Sequence, residues 1–186
     1  VQTRKCSACN KSETRNVGKK LAPKATLNAS TVTLKVKQST SRLKVTRLAK
    51  GDSVKSWKSS NSKIFTVRGK SNGTCKITGK KSGTAKLQIT LASGLKKTVK
   101  VRVQTAAVKT SKITVSKNVT VRKGKRVTLK PVVTPFTSRQ KVTYTSSNKK
   151  IATVSSKGVV TGKKKGTAKI TVKSGSKSVK VTVKVK

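Results

Sequence analysis

Acidic residues are almost missing from this chain, with Glu13 and Asp52 the only carboxylates among 186 residues, and histidine is missing altogether. These two gaps remove most enzyme chemistry. Without histidine the commonest general base and the commonest metal ligand are gone. Two carboxylates, one of them close to the first residue, form no acid–base pair unless they happen to meet. A Ser or Cys nucleophile would have only Lys as its base, and a Lys base must be desolvated, which a surface crowded with like charge does not ensure. The Gly-Lys-Lys-x-Gly-Thr stretches lack the spacing and the following helix of a phosphate-binding loop. No catalytic residue, metal site or cofactor is expected.

Aromatics are scarce as well: Trp57, Tyr144, Phe65 and Phe136 are all there are. A core must then be built from Val, Ile and Leu, and these residues together with abundant Thr favour pleated sheet. Methionine is absent even at the first position, so the sequence reads as a mature or trimmed product. No apolar run approaches the ~18 residues that span a membrane. Cysteine occurs three times, at Cys6, Cys9 and Cys75. Cys6 and Cys9 form a lone C-x-x-C, one ligand short of a zinc site even with Cys75. A disulfide within the leader or from the leader to Cys75, free thiols, and metal or intermolecular linkage all remain open.

What the chain has in excess is positive charge: 48 Lys and Arg, for a net charge of +46. Such a surface repels itself and attracts polyanions. Solubility alone would not require the loss of nearly every acid, since added acids serve it better than added bases. Most of the cations are Lys, with Arg only at positions 4, 15, 42, 47, 68, 102, 122, 126 and 139. Lys is a mobile point charge and Arg a planar fork, so a Lys-dominated surface suits diffuse attraction more than sequence-specific readout.

Residues 1–24 show no apolar alternation and read as an irregular leader ending near Pro23. The remainder repeats. WKSSNSKIFTV from Trp57 matches YTSSNKKIATV from Tyr144, an offset of 87, and TGKKSGTAK from Thr78 matches TGKKKGTAK from Thr161, an offset of 83. Two blocks in the same order mark an internal duplication. The first copy carries about four extra residues in Arg68–Cys75, where Gly69 and Gly73 suggest a longer turn. Within each copy the period is two: Val99, Val101 and Val103 alternate with Lys100 and Arg102, and Val179, Val181, Val183 and Val185 with Lys180, Thr182 and Lys184. On a strand this places Val on one face and Lys on the other. The second copy predicts strands near 113–115, 119–122, 126–133, 141–146, 151–154, 159–161, 167–173 and 178–185. So many short strands in so few residues imply a two-sheet sandwich. The expectation is an all-β chain of two tandem β-sandwich domains, at 25–104 and 110–186. The short connector around Gln104–Thr110 implies domains set end to end with limited bending.

The motifs resemble the bacterial Ig-like group 2 family: an aromatic followed by Ser-Ser-Asn, an Ile-Ala-Thr-Val strand, Gly-x-Val-Thr-Gly, and a Gly-Thr-Ala-x-Ile strand. The second copy carries Tyr144, Ser146, Ser147, Asn148, Ile151–Val154, Gly158, Val160–Gly162, Gly166–Ala168 and Ile170, and Gly124 fits the family's glycine between the first strands. The first copy keeps Trp57, Ser59, Ser60, Asn61, Ile64, Val67, Gly79 and Gly83–Ala85. It has Phe65 in place of Ala, and Gln38–Ser41 where the second has Lys123–Lys125. The resemblance implies an immunoglobulin-like sandwich from extracellular, surface or phage proteins, used as a spacer, an adhesion module or a carbohydrate-facing domain, with no conserved catalytic residues. Trp57 and Tyr144 are expected as core anchors, and Asn61 and Asn148 as partners of turn backbone.

The function expected from these residues is a secreted or cell-surface bacterial module that grips an anionic polymer such as teichoic acid or an acidic or sulfated glycan. The candidate contacts are the turn residues Lys80, Lys81, Lys163, Lys164 and Lys165 and the strand residues Lys180 and Lys184. Non-specific nucleic-acid binding is a competing reading, although exposed aromatics for base stacking are lacking. A spacer or self-associating filament subunit is the other.

Overall fold

Strict alternation of Val with Lys or Thr produces strands throughout the computed structural model, which describes residues 2–5, 9, 12–15 and 24–186. Every regular element among them is a β-strand. In the leader, β1 (Gln2–Lys5) pairs antiparallel with β2 (Ser12–Arg15), from Gln2 opposite Arg15 to Lys5 opposite Ser12. Neither segment has an apolar alternation, so a pairing here leaves no period-two trace in the sequence.

The first half contains β3 (Ala25–Leu27), β4 (Thr31–Lys35), β5 (Ser39–Thr40), β6 (Val45–Leu48), β7 (Val54–Ser59), β8 (Phe65–Gly69), β9 (Cys75–Gly79), β10 (Gly83–Leu91) and β11 (Lys96–Gln104). The second contains β12 (Lys112–Thr114), β13 (Asn118–Val121), β14 (Arg126–Thr128), β15 (Val132–Thr134), β16 (Val142–Ser146), β17 (Ala152–Val154), β18 (Val159–Gly162), β19 (Gly166–Ser174) and β20 (Lys177–Val185). The strand orders correspond one to one: β4-β11-β10-β7 with β13-β20-β19-β16, β5-β9-β8 with β14-β18-β17, and β3-β6 with β12-β15. In each half the four-stranded sheet buries its Val, Ile and Leu against the other strands. The first core gathers Val32, Leu34, Phe65, Ile77, Leu87, Ile89, Val99 and Val101, and the second Val160, Ile170, Val172, Val181 and Val183, all fully buried. At roughly 1.5–3 kcal/mol for each large side chain removed from water, such clusters supply what the missing aromatics would otherwise contribute.

The predicted strand over 126–133 is instead two strands on different sheets. β14 pairs with β18 and β15 with β12. Pro131 lies between them, where an absent N–H donor ends one ladder and frees the chain to cross to the other.

The extra residues of the first copy lengthen a hairpin rather than a turn. β8 and β9 pair over five positions, from Phe65 opposite Gly79 to Gly69 opposite Cys75, while β17 and β18 pair over three. This explains the different aromatics. Trp57 and Tyr144 face inward from the edge strands β7 and β16, opposite Ile89 and Val172. They pack against their cores but remain half-buried. They close the rim of each sandwich rather than anchor its centre. Tyr144 lies over Gly158, where a Cβ would come within 2.8 Å of the phenol. Trp57 lies over Gly69 in the longer hairpin and donates from Nε1 to the Lys70 carbonyl at 3.2 Å.

The backbone also corrects the alignment of the β4–β5 turn. Lys37 N donates to the Gly79 carbonyl as Gly124 N donates to that of Gly162, and Gln38 N bonds Lys35 as Lys125 N bonds Arg122. Val36-Lys37-Gln38 is therefore the counterpart of Lys123-Gly124-Lys125. Lys37 adopts φ 66 where Gly124 has φ 76, a region that glycine occupies with far less strain.

Because a Cβ on Gly69 would fall inside the Trp57 indole, Gly69→Ala should expel the ring from its seat. The expected result is a red-shifted emission from this single tryptophan and a loss of about 1–3 kcal/mol in denaturant titration. Unchanged emission would show that the ring does not depend on that glycine.

Candidate functional site

The candidate lysines occupy two kinds of position. Lys80–Lys81 and Lys163–Lys165 form equivalent turns entering β10 and β19, held by backbone bonds from Lys80 N to Ile64 and from Lys163 N to Ile151, both 2.7 Å. All five side chains are exposed. Lys180 and Lys184 point outward from β20, where Lys180 faces Thr171, and Lys184 faces Thr167 and Thr120. Across this outer face each Lys sits opposite Thr or Ser rather than another Lys. In the first half Lys86 stands directly opposite Lys100, a like-charge cross-strand pair that costs stability. The turns and sheet faces lie on different parts of the surface, so these lysines form no single pocket.

The two halves meet through a loop that follows the connector by about 25 residues in sequence and packs beside it. Phe136, which follows the cis Thr134–Pro135 bond, packs against the first core. Gln38 is buried and donates from Nε2 to the Thr137 carbonyl at 2.7 Å, while its Oε1 accepts from Lys35 N at 2.8 Å. Thr137 Oγ1 donates to the Thr33 carbonyl, and Arg42 Nη1 donates to the Phe136 carbonyl at 2.6 Å. Behind this loop, Thr110 Oγ1 bonds the hydroxyls of Ser138 and Ser174, and Gln140 Oε1 accepts from Thr110 N at 2.6 Å. Of the five buried polar residues described, Gln38, Thr110, Thr137 and Ser174 belong to this junction and Thr40 lies two residues from Gln38. None of their buried polar atoms lacks a partner. The halves are thus joined by contacts beyond the connector itself.

Beside the junction an open cleft of about 1230 Å³ is lined from both halves. Arg42, Lys44, Arg102 and Lys109 are among its lining residues, as are the apolar Val132 and Pro135. Val132 is 61% exposed and is the one large hydrophobic side chain so exposed among the described residues. The sequence reading missed Gln38 and this cleft. The available signals were the departure from the family pattern near Gln38 and a Val on an outward strand position.

The family model for the bacterial Ig-like domain (group 2) matches residues 108–185. This segment is similar to the bacterial Ig-like domains of group 2. No curated protein matches the chain in sequence. Among solved structures, domains 4 and 5 of the S-layer protein SbsC are 25% identical, covering 88% of this chain and 97% of that one, with a TM-score of 0.42. A longer SbsC fragment is 26% identical over 89% of this chain and 28% of its own length, with a TM-score of 0.43. A GH10 xylanase from termite gut that contains a bacterial Ig-like domain is 27% identical over 37% of this chain and 18% of its own, with a TM-score of 0.32.

The polar residues of the Ser-Ser-Asn motif have structural tasks. Ser146 Oγ accepts from Asn148 N, Ser147 Oγ accepts from Lys169 N on β19, and Asn148 Oδ1 accepts from Lys150 N. Ser59, Ser60 and Asn61 repeat all three bonds in the first half. These groups are consumed by the fold and leave no reactive constellation. No helix of the described residues is long and apolar enough to cross a membrane.

Among the described residues, Cys9 is an exposed free thiol and Cys75 a buried one. Cys6, the other member of the candidate disulfide set, lies outside them. Cys75 faces the core and donates its S–H toward the Leu43 carbonyl at 3.7 Å, and burial pushes its pKa up to about 12. Asp52 accepts from Ser93 Oγ at 2.7 Å and from the N–H groups of Ser53 and Ser93. Ser93 is the main cause that holds its carboxyl below the usual range. The loop tie that Asp52 provides is therefore complete at neutral pH and is lost as acid protonates it.

Two measurements check this geometry. Gln38→Ala strands the buried Thr137 carbonyl and should cost about 1–3 kcal/mol. Residual dipolar couplings should fit one alignment tensor in the parent chain and two in the variant; a single tensor in both would remove Gln38 from the junction. Thiol labelling near pH 8 should spare Cys75 in the native protein and modify it after unfolding, whereas rapid native labelling would contradict its burial.

Proposed function

We propose that this chain is a non-catalytic module of the bacterial cell exterior that binds anionic polymers, with teichoic acids and acidic or sulfated glycans the favoured class. The observation that carries this reading is the repetition of exposed lysine in both halves, at Lys80–Lys81 and Lys163–Lys165 in equivalent turns and at Lys180 and Lys184 on an outer sheet face. Nothing nearby neutralises it, because Asp52, the sole carboxylate in residues 24–186, is engaged by serine donors. Attraction of this kind draws its affinity from released counterions. It needs no pocket, which suits cations distributed over turns and faces. Nucleic acid is less well served, since Trp57 and Tyr144 cap their own sandwiches and no helix among the described residues offers itself to a groove.

A spacer role is the second reading, and the buried junction through Gln38 and Phe136 favours it, because a stiff two-domain unit holds its ends at a fixed separation. The two roles are compatible.

Retention on immobilised polyglycerol phosphate and on a sulfated glycan should fall steeply with salt, roughly tenfold or more between about 50 and 200 mM. Replacing Lys163, Lys164 and Lys165 with Gln should reduce the slope of log affinity against log salt. Retention unchanged from low to high salt would overturn the polyanion reading.

A further inference from the structure

We infer that the cleft between the two halves is a discrete subsite for a short anionic stretch of glycan, a reading that rests on the polyanion function and gives it a location. Elsewhere on the surface most cations stand on turns and sheet faces, with Lys35, Lys37 and Arg139 in a smaller cleft of about 730 Å³. Here Arg42, Lys44 and Arg102 from the first half and Lys109 from the second line one concavity. The lining contains no carboxylate.

The chemistry of the rim differs from that of the remaining surface. Lys dominates the chain, yet two of its nine arginines stand at this cleft. A guanidinium presents paired donors that match the oxygens of a carboxylate, sulfate or phosphate. Arg42 is already oriented, because its Nη1 is fixed on the Phe136 carbonyl at 2.6 Å. A donor set positioned in advance loses less conformational freedom when a ligand arrives.

The apolar lining selects among anions. Val132 stands exposed where an outward strand position ordinarily carries Thr or Lys, and Pro135 lies beside it. An aliphatic patch under a cationic rim fits the C–H face of a charged sugar ring. Phe136, the one aromatic in the lining, is held against the first core, and the exposed patch itself is aliphatic. At about 1230 Å³ the cleft exceeds the roughly 300–1,000 Å³ of ordinary small-molecule sites, so a few linked residues of a polymer suit it better than a monosaccharide. Because both halves form the walls, occupancy would also brace the junction.

The test uses the full chain with a heparin tetrasaccharide, a neutral maltotetraose and a short single-stranded oligodeoxynucleotide, followed by methyl NMR at Val132, Ala106 and Ala107. The tetrasaccharide should bind one per chain and shift those methyls, and maltotetraose should not bind. Lys44→Gln with Arg102→Gln should weaken tetrasaccharide binding at least tenfold. Lys163→Gln with Lys164→Gln, which removes the same charge from a distant turn, should weaken it less than threefold. Val132→Asp, at an exposed position, should abolish binding without changing the unfolding midpoint. Equal losses for the two charge pairs would overturn the cleft while leaving diffuse polyanion binding intact, as would retention of long polymer without tetrasaccharide binding. Tighter binding of the oligonucleotide than of the tetrasaccharide would overturn the glycan assignment. Failure to retain any polyanion at low salt would remove the proposed function itself.

Discussion

With two carboxylates against 48 cations, this protein can use ion pairs hardly at all, and everything that holds it together must come from apolar burial and neutral hydrogen bonds. That constraint explains its composition. Val, Ile and Leu fill both cores. Polar work that other proteins assign to acids falls to Ser, Thr, Asn and Gln. Serine fastens the Ser-Ser-Asn turns to the neighbouring strand, and asparagine closes the turns themselves. Threonine stands between lysines on the outer face of β20, diluting repulsion without introducing an opposite charge. Neutral groups of this kind leave the lysines of the sheet faces and turns in residues 24–186 without an opposite charge beside them.

The junction follows the same rule at higher stakes. Buried polar groups are stabilising only when all are partnered, and Gln38 and Thr137 across the halves, with Thr110 and Ser174 behind them, meet that condition. It also explains a departure from the repeat. Position 38 needs an amide that both accepts and donates, while its counterpart Lys125 faces water at the other end of the second half. The two sandwiches share a topology, and their ends have been adapted differently.

Much of the fold was legible because alternation of period two depends only on neighbours along the chain. The Val-Lys runs of β11 and β20 and the Gly-Thr-Ala entries to β10 and β19 follow directly from it. The division of 126–133 into two strands was harder, since Val127 and Val133 both suit a strand and only Pro131 hints that they serve different sheets. Trp57 looks like a core residue by chemistry. Its place at the rim depends on β7 being an edge strand, which is a property of sheet order rather than of local sequence. The junction was the least legible, because Gln38 bonds a backbone carbonyl 99 residues away, and a carbonyl carries no side-chain signature. The lysines were easy to list, but their separation into turns, faces and a cleft emerged only once the strands were ordered.

One topological feature has a mechanical meaning. In each sandwich the opening strand of the four-stranded sheet runs parallel to the closing one, β4 beside β11 and β13 beside β20. Tension applied along the chain pulls these paired strands in opposite directions along their own axes. The ladder bonds between them are then sheared together instead of unzipped one after another. A chain loaded at both ends would resist extension up to a threshold and then yield a whole domain at once.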